Sequence, residues 1–358
     1  MDLPLRADKA NTQDGVEYRR ADDCGQHSVC FFCAGRDIQT IPYPAPINKM
    51  TTQNPWQHPF SSTLAVEEAF DSKDYVADKP LCLTTKLAFD LEKPVLLEGE
   101  AGVGKTEVAK VLAELLDTPL IRLQCYEGLD AASTLYEWNY ARQIMEIRLA
   151  ESDAERRQDL ESSIFSESFL FARPLLQAIR HQGPRPAVLL IDEIDRADEE
   201  FEAFLLEILS DFQISVPELG TFTAAHKPCV ILTSNRTREL NDALKRRCLY
   251  LWIDYPTPDK ERQIIERRIP GIERDLAASV AGVMRGLRQV DFYKRPGVAE
   301  ALDWARALLG LEISEILPDV LMDTAGVVLK YRDDINRLST LDLEALLEGQ
   351  AANISTDD

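Results

Sequence analysis

The stretch GEAGVGKT, residues 99–106, follows an apolar run at 94–97 and precedes a segment of helical periodicity that begins at Glu107. It fits the pattern G-x-x-x-x-G-K-[ST] between a strand and a helix, which is the context that a phosphate-binding loop requires. Glycines allow the backbone to curl until its N–H groups face a phosphate at a helix N-terminus. A glycine-rich turn that binds nothing is the alternative, and the adjacent lysine and threonine disfavour it.

Each part of this loop has a predicted role in nucleotide binding. Lys105 would place its charge between the terminal phosphates, and Thr106 would place its hydroxyl on Mg²⁺. The predicted nucleotide-binding residues of the loop are Gly99, Glu100, Ala101, Gly102, Val103, Gly104, Lys105 and Thr106. The loop alone predicts binding of ATP or GTP and leaves the use of that nucleotide open.

Composition narrows the class of protein. The chain has 358 residues, of which 45% are hydrophobic, and this predicts a globular protein with one large domain or two smaller ones. The formal net charge of −21 disfavours a nucleic-acid partner and favours a protein partner. Without a long apolar run or a basic N-terminal leader, we expect no membrane span, no signal peptide and a cytoplasmic protein. Seven cysteines, an odd number, fit free thiols.

Residues 1–49 differ from the rest because they lack a sustained period and end in the proline-rich IPYPAPIN. We expect a disordered arm, or sequence upstream of the true start, since Met50 opens a stretch typical of an N-terminus. A C-x-x-H-x-x-C-x-x-C run places four zinc-ligand types within ten residues, at Cys24, His27, Cys30 and Cys33. Structural zinc sites usually take their ligands from two separated pairs. The favoured alternative is therefore that these cysteines are incidental and bind no zinc.

Five apolar runs alternate with helical segments before Pro256. The predicted strands span residues 94–98, 119–124, 187–193, 229–233 and 249–253. Such alternation predicts an α/β domain over 50–255, with a parallel five-stranded sheet covered by helices on both faces. The following residues, 256–347, show no strand pattern and predict a small all-α domain. Its helices are expected at 259–268, 273–289, 297–311 and 316–331, before a polar tail at 348–358.

Two insertions interrupt the α/β pattern. Residues 126–182 predict a helical insertion that closes with a buried helix, and residues 213–228 predict a hairpin. The first insertion contains Trp138 and Tyr140. For both aromatic side chains, core packing and contact with a partner stay open as alternatives.

The predicted strand at 187–193, AVLLIDE, carries two carboxylates to its C-terminal end, where open α/β sheets place their ligands. Asp192 is predicted to hold the Mg²⁺ shell, and Glu193 to orient and deprotonate an attacking water. An acidic turn would explain either carboxylate alone but explains the pair poorly. Asn235 ends another strand and could hydrogen-bond the water or the terminal phosphate, although a turn-forming asparagine is equally compatible.

Taken together, these motifs resemble those of the AAA+ ATPases over residues 65–345. GEAGVGKT resembles Walker A, LLIDE resembles Walker B, and TSN resembles sensor 1. Within AAA+, the chain is similar to the MoxR branch and more closely to the CoxD-like accessory ATPases of carbon monoxide dehydrogenase operons. The matching phrases are KPVLLEGEAGVGKTEVAK, RLQCYEGLD, YEWNY, LLIDEIDRADEEFEAFLLEILSDF, LTSNRTREL and ALKRRCLYLWIDYP.

The resemblance implies an AAA+ P-loop fold with an α-helical lid domain, a homo-oligomeric hexameric ring with ATP between subunits, and Mg²⁺-dependent ATP hydrolysis that remodels a client protein. It also implies a partner with a von Willebrand factor A domain and a chaperone role in metal-centre maturation of a molybdenum hydroxylase. The two insertions would then line the pore or top face and could bring Trp138 and Tyr140 to the client. A DNA-directed AAA+ ATPase of the restriction or clamp-loading type is the alternative, which the acidic charge disfavours.

Two arginine roles follow from the same resemblance. In such rings an arginine of the neighbouring subunit reaches the γ-phosphate and stabilises transition-state charge. The matching position in ALKRRC is Arg247 or Arg246, with Arg247 favoured, and a surface basic pair is the alternative. The MoxR branch usually has a sensor 2 arginine just after a proline in the lid. Gly297 follows Pro296 here, so Arg295 is the candidate substitute.

Overall fold

The computed structural model describes residues 56–151 and 164–347, and the part that begins at Trp56 forms one compact unit. The predicted arm, the polar tail and the four zinc-ligand types of the arm lie outside the described residues. Within these limits, no helix is both long and apolar enough to cross a membrane.

Nine strands occur in the described residues. They are β1 Val95–Glu98, β2 Leu120–Gln124, β3 Tyr136–Trp138, β4 Leu170–Ala172, β5 Val188–Asp192, β6 Gln213–Val216, β7 Gly220–Thr223, β8 Cys229–Ser234 and β9 Leu249–Trp252. Five of them form a parallel sheet in the order β2-β5-β8-β1-β9, which confirms the predicted five-stranded parallel sheet. Every residue of β1 and β5 is buried, as expected for strands covered by helices on both faces.

Fourteen α-helices occur in the same residues. Eight belong to the first part of the chain: α1 Thr63–Asp71, α2 Lys79–Leu91, α3 Lys105–Leu116, α4 Ala131–Leu135, α5 Tyr140–Glu151, α6 Pro174–Ile179, α7 Glu199–Asp211 and α8 Asp242–Arg247. Six follow the sheet: α9 Pro258–Arg268, α10 Arg274–Gln289, α11 Val298–Gly310, α12 Pro318–Val328, α13 Arg332–Leu338 and α14 Leu343–Leu347.

Local signals explain where these helices begin. Proline occupies the first turn of α2, α6, α9 and α12, where its missing N–H costs no hydrogen bond. The side chain of Asp198 accepts a hydrogen bond from the backbone N–H of Phe201 and so caps α7. From that cap, α7 buries Phe201 and Leu205 against the sheet's core.

The insertion at 126–182 is not purely helical, so that prediction was wrong in part. Strands β3 and β4 pair antiparallel within it, because Tyr136, Glu137 and Trp138 oppose residues 170–172. The predicted closing helix, which was expected to include Phe169 and Phe171, is present only as the short α6, and Phe171 lies on β4 and is 54% exposed. The predicted hairpin at 213–228 is present as β6 and β7, with its turn between Val216 and Gly220.

From β9 to residue 347 the chain is helical as predicted, although two short helices, α13 and α14, were not predicted. Its helices share a separate hydrophobic cluster built around Trp304, Met284 and Leu308. Trp304 is fully buried, and its indole Nε1 donates to Thr324 Oγ1 at 2.8 Å. The predicted domain boundary at Pro256 stays a prediction.

Candidate functional site

The strand order brings the predicted motifs together. β8 lies between β5 and β1, so the carboxyl ends of these three strands are neighbours at one edge of the sheet. The loop at 99–106 follows β1, the carboxylates end β5, and Asn235 follows β8. This edge is the place where open α/β sheets bind ligands.

Glycine geometry shapes the phosphate loop. Gly99 has φ of 155° and approaches β9 so closely that an added Cβ would lie 2.2 Å from the Ile253 carbonyl oxygen. Gly102 has φ of 80° and Gly104 has φ of 96°, a left-handed backbone that favours glycine. Gly104 starts α3 without a side-chain cap, which leaves the first N–H groups of the helix without a side-chain acceptor at that position.

Lys105 is the predicted cation of the loop and is only 6% exposed. Its Nζ donates to the carbonyl oxygens of Gly99 and Glu100, both at 2.7 Å, so the loop itself holds the ammonium group. Burial lowers the pKa of Lys105, and the nearby carboxylates, led by Asp195, act in the opposite direction. A buried lysine with these carbonyl contacts can place a positive charge where an anionic phosphate chain would bind.

Asp192 contacts Thr106, the residue predicted to share a Mg²⁺ shell with it. Its Oδ1 accepts from Thr106 Oγ1 at 3.1 Å and from Thr233 Oγ1 at 2.5 Å. Its Oδ2 accepts from Arg122 at 2.5 Å. A hydroxyl and a carboxylate are oxygen ligands of the kind that Mg²⁺ prefers, and these two fit the ion. Within 56–151 and 164–347, no cluster of three or more His, Cys, Asp or Glu could hold a metal by itself.

The backbone conformation of Glu193 differs from the extended conformation of β5, which ends at Asp192. Its φ of 55° and ψ of 50° are left-handed, which is uncommon for a residue with a side chain. The backbone N–H of Glu193 donates to Thr233 Oγ1 at 2.9 Å, and its Oε2 accepts from Arg196 Nε at 2.9 Å. Thr233 therefore contacts both carboxylate residues and fixes their relative position.

Asn235 is half-buried at the end of β8, directly after the buried Ser234. Ser234 Oγ donates to Glu98 Oε1 at 3.2 Å and accepts from the backbone N–H of Arg236 at 3.0 Å. Asp195 holds the same loop, because its Oδ2 accepts from the N–H and hydroxyl of Thr237 at 2.9 and 2.7 Å. The loop that carries Asn235 is thus tied to both β1 and the turn after β5.

The two candidate arginines at the end of α8 have different surroundings. Arg247 Nη1 donates to the Leu206 carbonyl oxygen and to Ser210 Oγ, both on α7 of its own chain. Arg246 is exposed and forms no ion pair with the described part of the chain. Contacts within the chain thus hold Arg247 and leave Arg246 extended toward solvent.

The helices after β9 contact the phosphate loop and the start of α3. The backbone N–H of Val298 donates to the Gly102 carbonyl oxygen at 2.8 Å, and Arg268 on α9 pairs with Glu107 at 2.7 Å. A buried Arg288–Glu261 ion pair supports this contact, since Arg288 Nε also donates to the Pro296 carbonyl oxygen at 2.9 Å. Burial raises the pKa of Glu261, and Arg288 opposes that effect.

Arg295, the candidate sensor 2 residue, is exposed just before this contact. Burial raises the pKa of Tyr255, and the charges of Glu100, Arg288 and Arg295 also act on that hydroxyl. The positive charges of Arg288 and Arg295 oppose this rise in the pKa of Tyr255. Its role as sensor 2 stays a prediction.

The two aromatic residues of the first insertion have different environments. Trp138 is 8% exposed and packs in the hydrophobic core with Phe169, which matches the core-packing alternative. Tyr140 is 64% exposed at the start of α5, so its side chain is open to solvent in the described structure.

Four residues of the site were not predicted: Arg122, Thr233, Asp195 and Gly297. Thr233 begins the TSN motif and Asp195 lies two residues after Glu193, so both residues belong to sequence stretches that the motifs had already marked. Arg122 and Gly297 reach the site through tertiary contacts, which no local sequence pattern predicts.

Comparison with known proteins supports the assignment of the fold. Residues 94–248 match the family model described as AAA domain (dynein-related subfamily). Uncharacterized proteins of Staphylococcus aureus strains USA300 and NCTC 8325 are each 29% identical over 199 residues, which is 54% of this chain and 67% of theirs. The described part of the chain therefore has the AAA+ P-loop fold, and residues 94–248 are similar to the AAA domain family.

The RuvB Holliday junction branch migration motor of Thermotoga maritima is a structural neighbour. It is 20% identical, with a TM-score of 0.40 and coverage of 73% of this chain and 69% of RuvB. A similarity of this size says nothing about the activity or partners of this chain.

Proposed function

We propose that this chain is a Mg²⁺-dependent ATPase of the MoxR type that hydrolyses ATP to remodel a client protein. One observation carries the hydrolytic part. The buried Lys105, the Thr106–Asp192 pair and Glu193 converge at the carboxyl edge of three adjacent strands. A phosphate loop that only bound a nucleotide would not require a second carboxylate fixed beside it.

Each residue of the candidate site has its own proposed role in phosphoryl transfer to water. Loop N–H groups and Lys105 hold the phosphates of ATP, and Thr106 with Asp192 would hold Mg²⁺, which would supply positive charge against the phosphate oxygens. Glu193 accepts the proton of the attacking water, and Asn235 orients that water or the terminal phosphate. Thr233 positions Glu193 through its backbone N–H.

Steady-state ATP hydrolysis and equilibrium nucleotide binding test this assignment. We expect Glu193→Gln to bind ATP as the wild type does and to lose about 10²- to 10⁴-fold in hydrolysis rate. Lys105→Ala is expected to lose nucleotide binding. An unchanged hydrolysis rate in Glu193→Gln would remove Glu193 from the mechanism.

The resemblance to the MoxR branch motivates the finer parts of the proposal. These are a hexameric ring, a partner with a von Willebrand factor A domain, and maturation of a molybdenum hydroxylase such as carbon monoxide dehydrogenase. The exposed Tyr140 and the β6–β7 hairpin are the surfaces that we assign to the client. A DNA-directed role has no observation in its favour, and the net charge of −21 opposes it.

A chromosomal Glu193→Gln substitution in the native host tests the client. We expect the molybdenum hydroxylase to accumulate as inactive protein with an incomplete metal centre. Normal hydroxylase activity in that strain would reject this client and would leave the ATPase assignment intact.

A further inference from the structure

Arg122 contacts the candidate site from the edge of the sheet. Among the strands of the described residues, β2 lies at the edge of the sheet and pairs with β5 alone, and the register places Gln124 opposite Asp192. Alternate residues of a strand share a face, so Arg122 and Gln124 lie on the same side. From there, Arg122 Nη2 donates to Gln124 Oε1 at 2.6 Å and to Asp192 Oδ2 at 2.5 Å.

The acceptor capacity of Asp192 is almost filled by these contacts. An ionised carboxylate offers about two lone pairs on each oxygen. Both lone pairs of Oδ1 are used, by the hydroxyls of Thr106 and Thr233. The remaining capacity is on Oδ2, directly beside the guanidinium of Arg122.

At this position a divalent ion bound to Asp192 and the guanidinium of Arg122 would repel each other. A divalent ion, or a water bound to it, that uses Oδ2 would lie near a permanent positive charge, because arginine does not lose its proton in proteins. The Asp192 side chain is 5% exposed, so solvent screens the repulsion less than it would at the surface. The Arg122 side chain is 53% exposed and can move aside, which limits the effect.

We propose that Arg122 weakens the uptake of Mg²⁺ at Asp192 and so determines how strongly nucleotide binding depends on the ion. The inference rests on the proposed function. Arg122 acts through Asp192, which makes it a positioning residue. Its removal frees Oδ2 and removes a like charge, so the site then gains more from Mg²⁺ than the wild type does.

The test is the affinity of the full chain for a fluorescent, non-hydrolysable ATP analogue, measured in EDTA and at saturating Mg²⁺. The ratio of the two dissociation constants measures the contribution of the ion. We expect Arg122→Gln to raise this ratio about five- to tenfold, with the magnitude limited by the exposure of the arginine. Arg122→Lys, which keeps the charge, should stay close to the wild-type ratio.

Arg306→Gln is the matched control. Its side chain is also 53% exposed and also pairs with a carboxylate, Asp303, on α11. We expect the wild-type ratio for this variant. A purely structural role of Arg122 would shift both dissociation constants by the same factor.

An unchanged or lower ratio in Arg122→Gln would overturn the inference. Failure of the proposed function would look different, because then the wild type would not bind the analogue, or Lys105→Ala would bind it equally well. Thermal unfolding of each variant shows whether the compared proteins are equally folded.

Discussion

Arg246 and Arg247 are adjacent in sequence but are not equivalent in the fold. Arg247 contacts the end of α7, where its guanidinium binds the Leu206 carbonyl oxygen and Ser210 Oγ. An arginine that serves a neighbouring subunit must be free of such contacts or must break them. Within the described part of the chain Arg246 forms no such contacts, so we propose Arg246 as the finger residue, whereas the resemblance to the MoxR branch favours Arg247.

ATP hydrolysis by single variants and by mixed subunits distinguishes the roles of Arg246 and Arg247. We expect Arg246→Ala to lower ATP hydrolysis about 10³-fold or more while keeping nucleotide affinity, because an arginine finger acts on transition-state charge. Arg247→Ala should mainly lower stability. Mixing Arg246→Ala with Glu193→Gln subunits should restore part of the hydrolysis rate, since some interfaces then combine an intact Glu193 with an intact Arg246.

The opposite result is equally informative. If Arg247→Ala lost hydrolysis at unchanged stability and Arg246→Ala did not, Arg247 would be the finger and its contacts with α7 would have to open in the ring. If activity were restored neither by mixing Arg246→Ala with Glu193→Gln subunits nor by mixing Arg247→Ala with them, the arginines would not act between subunits.

At the scale of elements, α11 meets the phosphate loop through two glycines. An added Cβ on Gly297 would lie 2.8 Å from Gly102 Cα and 2.9 Å from its carbonyl oxygen. Its φ of −89° suits any residue, so only space requires glycine here. Because both clashing atoms belong to backbone, relief requires movement of the helix or the loop.

Gly297→Ala should therefore separate α11 from the loop. We expect a loss of about 1–3 kcal/mol in the free energy of unfolding together with weaker nucleotide binding, as for other overpacked contacts. Gly310→Ala, at the other end of α11, is the control, since nothing lies within 4 Å of its added Cβ. Urea unfolding and nucleotide titration measure both effects, and equal values for the two variants would contradict the steric argument.

The secondary-structure elements that could be predicted are those that a local sequence pattern marks. The strands of the sheet are apolar runs between helices, and the predicted bounds of each strand differ from the observed ones by at most one residue. β3 and β4 were missed because three-residue strands carry too little alternation, and their pairing joins Trp138 to Leu170 across the insertion. Arg122 was missed for a related reason, since only the strand order places it beside Asp192.

At the scale of the whole molecule, four cysteine thiols of the described residues link stability to pH: Cys82, Cys125 and Cys248 are buried, and Cys229 is half-buried. Burial raises the pKa of Cys82 to about 11, with Glu67 and Asp78 adding to the effect, and raises that of Cys125, Cys229 and Cys248 to about 12. A thiol of an unfolded chain ionises near pH 8.5. Because the pKa of each thiol is higher in the folded chain, its contribution to stability is complete below the unfolded pKa of about 8.5. That contribution is lost as the pH rises toward 11 or 12.

The free energy of unfolding should therefore fall as the pH rises above about 9. Each thiol contributes up to ~1.4 kcal/mol per pH unit in that range. Cys125→Ala isolates one contribution, because Cys125 is 1% exposed and its pKa is raised mainly by burial. Urea unfolding at pH 8, 9 and 10 should give a shallower pH dependence for this variant, and parallel curves would contradict the assignment.

The contact between Gly102 and Val298 also has a consequence for the order of folding. The ribosome makes the phosphate loop early, but the N–H that binds its Gly102 carbonyl oxygen belongs to a helix made much later. Contacts between distant parts of a chain form slowly because a long loop must close first. A nascent chain that ends near Pro256 would carry the loop without this support, so we expect the finished loop only after synthesis has passed α11.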